Sequence, residues 1–248
     1  MAGPRIIGRG PINVDGVLTD WVSYTLDFDV KTAEQEVATS AVVPALHANT
    51  GWTLKVEFKL PLIGRRVTTG LSLGGYTGVI FKEHSLKVEV AVQEGTGDDD
   101  WKRWAVKNYK WTVDASKWEA TDSYGVFREL VAAQTETPYA DLAYASEYGS
   151  GDIVVSKAGF TAGNDVSEET ISGMGAGELT SADVAIGSLL GQVAEALSNG
   201  CATPCNIAIP EGTGTAFWKS IEYKLPADDV VTATYEWQGE GEFLPSGS

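Results

Sequence analysis

The sequence predicts a mainly β protein, an antiparallel sandwich or barrel with one or two flanking α-helices and long loops. Apolar and polar residues alternate with period two along run after run, the pattern of strands with one buried and one wet face. The 248 residues hold 28 glycines, mostly between those runs, where the turns of an all-β chain belong. Two segments carry apolar residues at helical spacing instead.

Taken in order, the first strand places Val22, Tyr24, Leu26, Phe28 and Val30 on one face. "WTLKVEFKL" is the cleanest run. Trp52, Leu54, Val56, Phe58 and Leu60 point one way, Thr53, Lys55, Glu57 and Lys59 the other, and Pro61 ends it. Nine extended residues reach roughly 30 Å, long for a globular strand. "SLKVEVAV" repeats the pattern with Leu86, Val88, Val90 and Val92, and Tyr109, Trp111 and Val113 do so again. A helix is predicted near 121–133, where Thr121 or Asp122 precedes Val126, Phe127, Leu130 and Val131. From about 138 to 180 the chain is rich in Gly, Ala, Ser, Asp and Glu, with a short strand expected from Asp152 to Lys157.

A second helix is predicted near 183–198. Ser181 caps it, Ile186, Leu189, Leu190, Val193 and Leu197 form its core stripe, and Asn199-Gly200 stops it. Strands return at Phe217–Ile221, Tyr223–Leu225 and Val231–Trp237. This order divides the chain into a β domain (1–137), an insertion or second lobe (138–210) and a closing hairpin of the first domain (211–248).

Composition narrows the function. The formal charge of −16, from 34 acidic and 18 basic residues, disfavours a groove that grips nucleic acid, which needs clustered Lys and Arg. Cys201 and Cys205 in "CATPC" have neither zinc-ribbon spacing nor a second pair to complete four ligands; a local disulfide and two free thiols both remain open. His47 and His84 stand alone in sequence, which predicts surface or interface positions rather than ligation. No nucleophile elbow or phosphate-binding glycine loop is present. "GTGDDDW" reads as a solvated acidic turn at Asp98–Asp100, without the spacing of a Ca²⁺ loop. No catalytic residue, metal site or cofactor is therefore expected. "MAGPRIIGRGPINV" has no continuous apolar core of a signal sequence, and no run of about 18 apolar residues occurs, so cytoplasmic synthesis and no membrane association are expected.

"VVTATYEWQGEGEF" near the end raises a different question, because two glycines sit among Glu236, Glu240 and Glu242. Alternation places Glu236 and Gln238 opposite Tyr235 and Trp237, with the later glutamates at a solvated rim. With eight Trp and nine Tyr, a carbohydrate-binding or -cleaving β-sandwich stays conceivable.

Three stretches in order resemble the tail-tube (major tail) proteins of tailed bacteriophages. "GTGTAFWKSIEYKLPADDVVTATYEWQGEGEFLP" (212–245) is similar to that family's closing hairpin, with its G-x-G-x-hydrophobic end at Gly239, Gly241 and Phe243. "GRGPINVDGVLTDWVSYTLDFDV" (8–30) is similar to the opening hairpin, turning at Asp15-Gly16. "NYKWTVDASKWEATDSYGVFRELVAA" (108–133) resembles the central strand-turn-helix. Together they cover a third to a half of the chain; 138–210 departs from the pattern.

The resemblance implies a β fold of tail-tube type and a virion protein assembled in the host cytoplasm. Its copies would form hexameric rings that stack into a tube with other phage tail proteins. DNA would pass through an acidic channel without specific binding. It implies no catalytic residue. On that reading the polar faces of the long strands line the channel, with Glu57 and Glu89 among Lys55, Lys59 and Lys87 in cross-strand pairs. Contacts between rings are expected at Val42, Val43, Leu46, Leu62, Ile63, Arg65 and Arg66, whose loops are long and mixed in polarity. Gly239, Gly241 and Phe243 are expected to end in a contact with another subunit. Other phage virion β-proteins, such as a capsid decoration or another tail component, share the same strand pattern.

Overall fold

The computed structural model describes residues 5–34, 45–59, 71–73, 81–95, 101–120, 142–162, 166–226 and 230–246. Among the described residues are twelve strands: β1 (Arg5–Val14), β2 (Val17–Glu34), β3 (Ala45–Lys59), β4 (Ser72–Leu73), β5 (Phe81–Gly95), β6 (Arg103–Ala120), β7 (Leu142–Ala145), β8 (Ser150–Thr161), β9 (Val166–Gly175), β10 (Cys205–Ile209), β11 (Gly212–Pro226) and β12 (Thr232–Pro245). One helix, α1 (Val184–Asn199), lies between β9 and β10.

The strands join antiparallel into one sheet in the order β10-β1-β2-β3-β12-β11-β5-β6-β9-β8-β7-β4. The predicted mainly β, antiparallel class holds, as a single sheet rather than a two-sheet sandwich. β10 also pairs with β11, so that β1, β2, β3, β12, β11 and β10 close on themselves, while the strands from β5 to β4 continue as an open sheet. The branch arises on β11. Its residues 212–216 pair with β10, and its residues 220–226 pair with β5. A register shift between Trp218 and Ser220 marks the change of neighbour; such a bulge bends a strand and sharpens its twist.

Local sequence explains the joints. Asp15 and Gly16 both take positive φ, 49° and 85°, the geometry of a two-residue turn whose twist matches its strands. Asn13 Oδ1 accepts the Gly16 N–H at 2.7 Å. β7, β8 and β9 extend the same sheet, β9 pairing with β6 over Thr112–Ala120.

α1 packs on β6, β11 and β5. Its cap is Asp183, whose Oδ1 accepts the N–H groups of Ala185 (3.0 Å) and Ile186 (2.9 Å). Ser181, the expected cap, instead accepts the Asp183 N–H and donates to the Tyr148 carbonyl. The carboxylate two residues nearer reaches the first-turn amides better. Gly200 ends the helix at φ 78°, as expected of a left-handed stop. Ile186, Leu189 and Val193 are buried as predicted, but Leu197 is 71% exposed. Gln192 is buried in its stead, accepting the Trp218 N–H at 2.8 Å and donating to the Thr203 carbonyl at 3.0 Å. The helix predicted near 121–133 lies outside the described residues.

Alternation holds in the long strands. Trp52, Leu54 and Val56 of β3, Leu86, Val88 and Val90 of β5, Trp111 and Val113 of β6, and Ile221, Tyr223 and Leu225 of β11 form the core with α1. The opposite face of the same strands is hydrophilic.

Candidate functional site

That hydrophilic face is the candidate site, and the strand register builds it row by row. Lys55 of β3 stands beside Glu236 of β12, which stands beside Ser220 of β11, then Glu89 of β5 and Lys110 of β6. The next row runs from Ser23 through Glu57, Thr234, Glu222 and Lys87 to Thr112, Met174 and Val154. One face is thus continuous from β2 to β8. Period-two strands in antiparallel register make this unavoidable, because side chains opposite one another share a face.

Charges on this face interleave. Among the described residues, five ion pairs join five lysines to four glutamates: Lys55–Glu57 at 2.8 Å, Lys87–Glu89 at 2.5 Å, Lys110–Glu89 at 2.8 Å, Lys219–Glu236 at 2.6 Å and Lys224–Glu222 at 3.2 Å. The Lys55, Lys87 and Lys224 pairs join residues two apart on one strand, whereas Lys110–Glu89 and Lys219–Glu236 span neighbouring strands. Hydrogen bonds from Lys110 and Lys87 hold the Glu89 carboxyl below the usual range, and the bond to Glu89 raises Lys87. Lys59 is exposed on the same face opposite Thr232. Among the described residues the ion-paired charges of this face are thus of both signs rather than carboxylates alone. A depression of about 580 Å³ continues it, lined by Ser85, Asp114, Ser116, Lys157, Ser172 and Lys224. Among the described residues no group of three or more His, Cys, Asp or Glu side chains is placed to hold a metal ion.

The glycine-glutamate end of β12 is a different object from the one expected. Gly239, Gly241 and Phe243 are all buried within the chain, so they form an internal clasp and not a surface contact. Phe243 meets Trp52 and Phe28 edge to face, with ring centroids at 5.3 and 5.8 Å. Gly241, at φ 72°, sits in a bulge between Glu240 and Phe243. Its carbonyl accepts the Trp52 indole N–H at 3.1 Å, and its own N–H donates to Lys102 O at 3.2 Å.

Glu240, expected at a solvated rim, has a side chain only 14% exposed. It accepts the Trp104 N–H at 2.7 Å and lies 3.5 Å from Arg103, while burial raises its carboxyl above the ordinary range. Gln238, expected on the wet face, is buried and donates to the Trp52 carbonyl. Both keep the face that alternation gives them, Gln238 pairing regularly with Thr53, and are covered there by the groups they bond. Lys102, deeply buried, adds an ion pair to Asp29 and donates its N–H to Thr50 O at 2.9 Å. The start of β6 is thereby tied to β2, β3 and β12 at once.

His84 is buried at 2% exposure, against the expectation of a surface position. Neither ring nitrogen has a hydrogen-bond partner, and burial lowers its pKa to about 4. The cysteines are both free, Cys201 exposed and Cys205 buried, and burial pushes the Cys205 thiol up to about 12. Trp52, Trp111, Trp218 and Trp237 are spent on the core and offer no exposed platform for a sugar ring. Of the residues expected between rings, Val42, Val43, Leu62, Ile63, Arg65 and Arg66 lie outside the described residues. The backbone of Leu46 pairs with Ala33 in β3–β2. Asp98–Asp100 also lie outside them.

Sequence reasoning reached Lys55, Glu57, Lys87 and Glu89 as polar-face residues of the long strands. It missed Lys110, Lys219 and Glu222, because only the register of distant strands brings them alongside. No protein-family model matches the chain, and no curated protein shows significant similarity to it. Among the described residues no helix is long and apolar enough to cross a membrane.

Proposed function

We propose that this chain is a structural subunit of tail-tube type, which polymerises into stacked rings around a channel for DNA. The single observation behind the reading is the continuous hydrophilic face from β2 to β6, with core and helix on its other side. Side by side around a closed ring, such faces make one large polar lining, and symmetric closure removes exposed strand edges. The three sequence stretches that resemble tail-tube proteins support the same reading. Their closing motif has a role inside the fold, fixing the end of β12 against β3 and β6. Hexameric rings follow from the resemblance, and the lining takes the form of paired charges rather than bare carboxylates.

The test is assembly. The purified chain is sized by light scattering and viewed by negative-stain microscopy over a range of protein concentration and salt. Rings or tubes about 100 Å across are expected, with symmetry closing the ring. A monodisperse monomer at every concentration would sink the reading and return the hydrophilic face to an ordinary solvated sheet surface.

A further inference from the structure

The core face of the sheet also carries a buried ion pair. On β6 the alternating buried residues Trp111, Val113 and Ala115 are followed by Lys117. Its register partner on β9 is Glu169, two residues before the buried Ile171. Lys117 Nζ lies 3.6 Å from Glu169 Oε2, and the two side chains are only 4% and 5% exposed. Phe81 of β5, itself buried, stands opposite Lys117 on the other side. The neighbouring row is apolar and buried at Ala115 and Ile171. Two charges taken this far out of water are costly to keep, and their attraction offsets the cost only where the geometry is very good.

We infer that Lys117 and Glu169 condense into an intramolecular amide that ties β6 to β9 covalently. A proton passes from the Lys117 ammonium to the Glu169 carboxylate. The freed Nζ lone pair attacks Cδ and the N–C bond forms. Nζ then gives a second proton to the hydroxyl on Cδ, the Cδ–O bond breaks, and water leaves. Ammonium and carboxylate thus become one neutral amide and one water, with no oxidant, reductant or other reactant. Register holds amine and carboxyl side by side on adjacent strands, which turns a bimolecular encounter into an intramolecular one. Burial favours the product, because the amide carries neither of the charges that the pair must keep out of water. The position gives the bond a purpose. Within the sheet, β9, β8, β7 and β4 join the remaining strands through the β9–β6 pairing, so a link there locks the open half to the closed half.

The experiment is mass spectrometry of the full chain, folded, incubated at neutral pH and then denatured for measurement. A digest of the same sample is read by tandem mass spectrometry for a branched peptide that joins the Lys117 and Glu169 segments. Two variants accompany the parent. Lys117→Arg keeps the positive charge beside Glu169, but a guanidinium stays protonated and offers no free amine. Glu169→Gln removes the carboxylic oxygen that leaves as water.

The parent is expected to show a species one water lighter than its sequence, rising on incubation until it is the main one. Its digest should contain the branched peptide, with fragments that place the link between Lys117 Nζ and Glu169 Cδ. Neither variant should lose water. The full sequence mass throughout in the folded parent overturns the inference. So does a loss of water that persists in Lys117→Arg, the mark of a cyclic imide at a site such as Asp15-Gly16. If either variant does not fold, the parent's branched peptide decides alone: its presence supports the bond, and its absence from a lighter parent refutes it. None of these results depends on whether the chain forms rings, so the inference and the tail-tube reading stand or fall separately.

Discussion

Gly239→Ala tests whether the end of β12 is an internal clasp. A Cβ built on Gly239 falls 2.2 Å from the Trp52 ring, against a comfortable carbon–carbon separation of about 3.5–4.0 Å. The ring must then retreat by more than about 1 Å, and Trp52 is 1% exposed in a packed core. Overpacking of this kind costs about 1–3 kcal/mol. Movement of the indole also breaks its N–H bond to the Gly241 carbonyl, worth about 0.5–1.5 kcal/mol. Together they predict a loss of about 2–4 kcal/mol. Urea unfolding followed by tryptophan fluorescence should show the midpoint fall by about 1 M. Gly191→Ala in α1 is the control. Nothing lies within 4 Å of its Cβ, and a helical Gly→Ala change should stabilise by about 0.5–1 kcal/mol. A Gly239→Ala loss below about 0.5 kcal/mol, or unchanged stability with assembly lost, would refute the clasp and restore a subunit contact.

Three further outcomes follow from the buried groups. His84 has its folded pKa lowered to about 4 from 6.5. The unfolded chain therefore takes up the proton first as pH falls, and stability drops between pH 6.5 and 4 by up to about 3 kcal/mol. His84→Leu should flatten that part of the curve and raise stability at pH 5, measured by urea titrations at several pH values. Glu240 has the opposite sign. Its folded pKa is raised by burial, so its contribution is present at low pH and lost as pH rises through the folded value. The difference in stability between the parent and Glu240→Gln should accordingly favour the parent more at acid pH than at neutral; a pH-independent difference would count against a buried carboxyl. With Cys201 exposed and Cys205 buried, a thiol reagent should modify one cysteine quickly in the native protein and two in denaturant. Rapid modification of both would contradict the pairing of β10 with β11.

The strands declared themselves wherever alternation ran unbroken. "WTLKVEFK" fixes which side chains of β3 are buried from its own order of residues, because a strand turns each successive side chain to the opposite face. The Asp15-Gly16 turn and the Gly200 stop depend on backbone angles that these residues favour locally. The same local rule gave the face of Gln238 and Glu240 but not their burial. Segments far away in the chain cover them, Gln238 at the Trp52 carbonyl and Glu240 at Trp104 and Arg103.

By its own composition and period, the sequence determined a mainly β chain, its long two-faced strands, one capped helix and the lysine–glutamate spacing of two of those strands. Only the tertiary structure decided which strands lie side by side. That choice closes β10 onto both β1 and β11, buries His84, turns the glycine-glutamate end into a clasp around Trp52, and brings Lys110, Lys219, Glu222 and Glu236 onto one face with Lys55 and Glu89. The physical reason is range: alternation and turn geometry act over a few residues, whereas register and burial are settled by contacts between segments far apart in the chain.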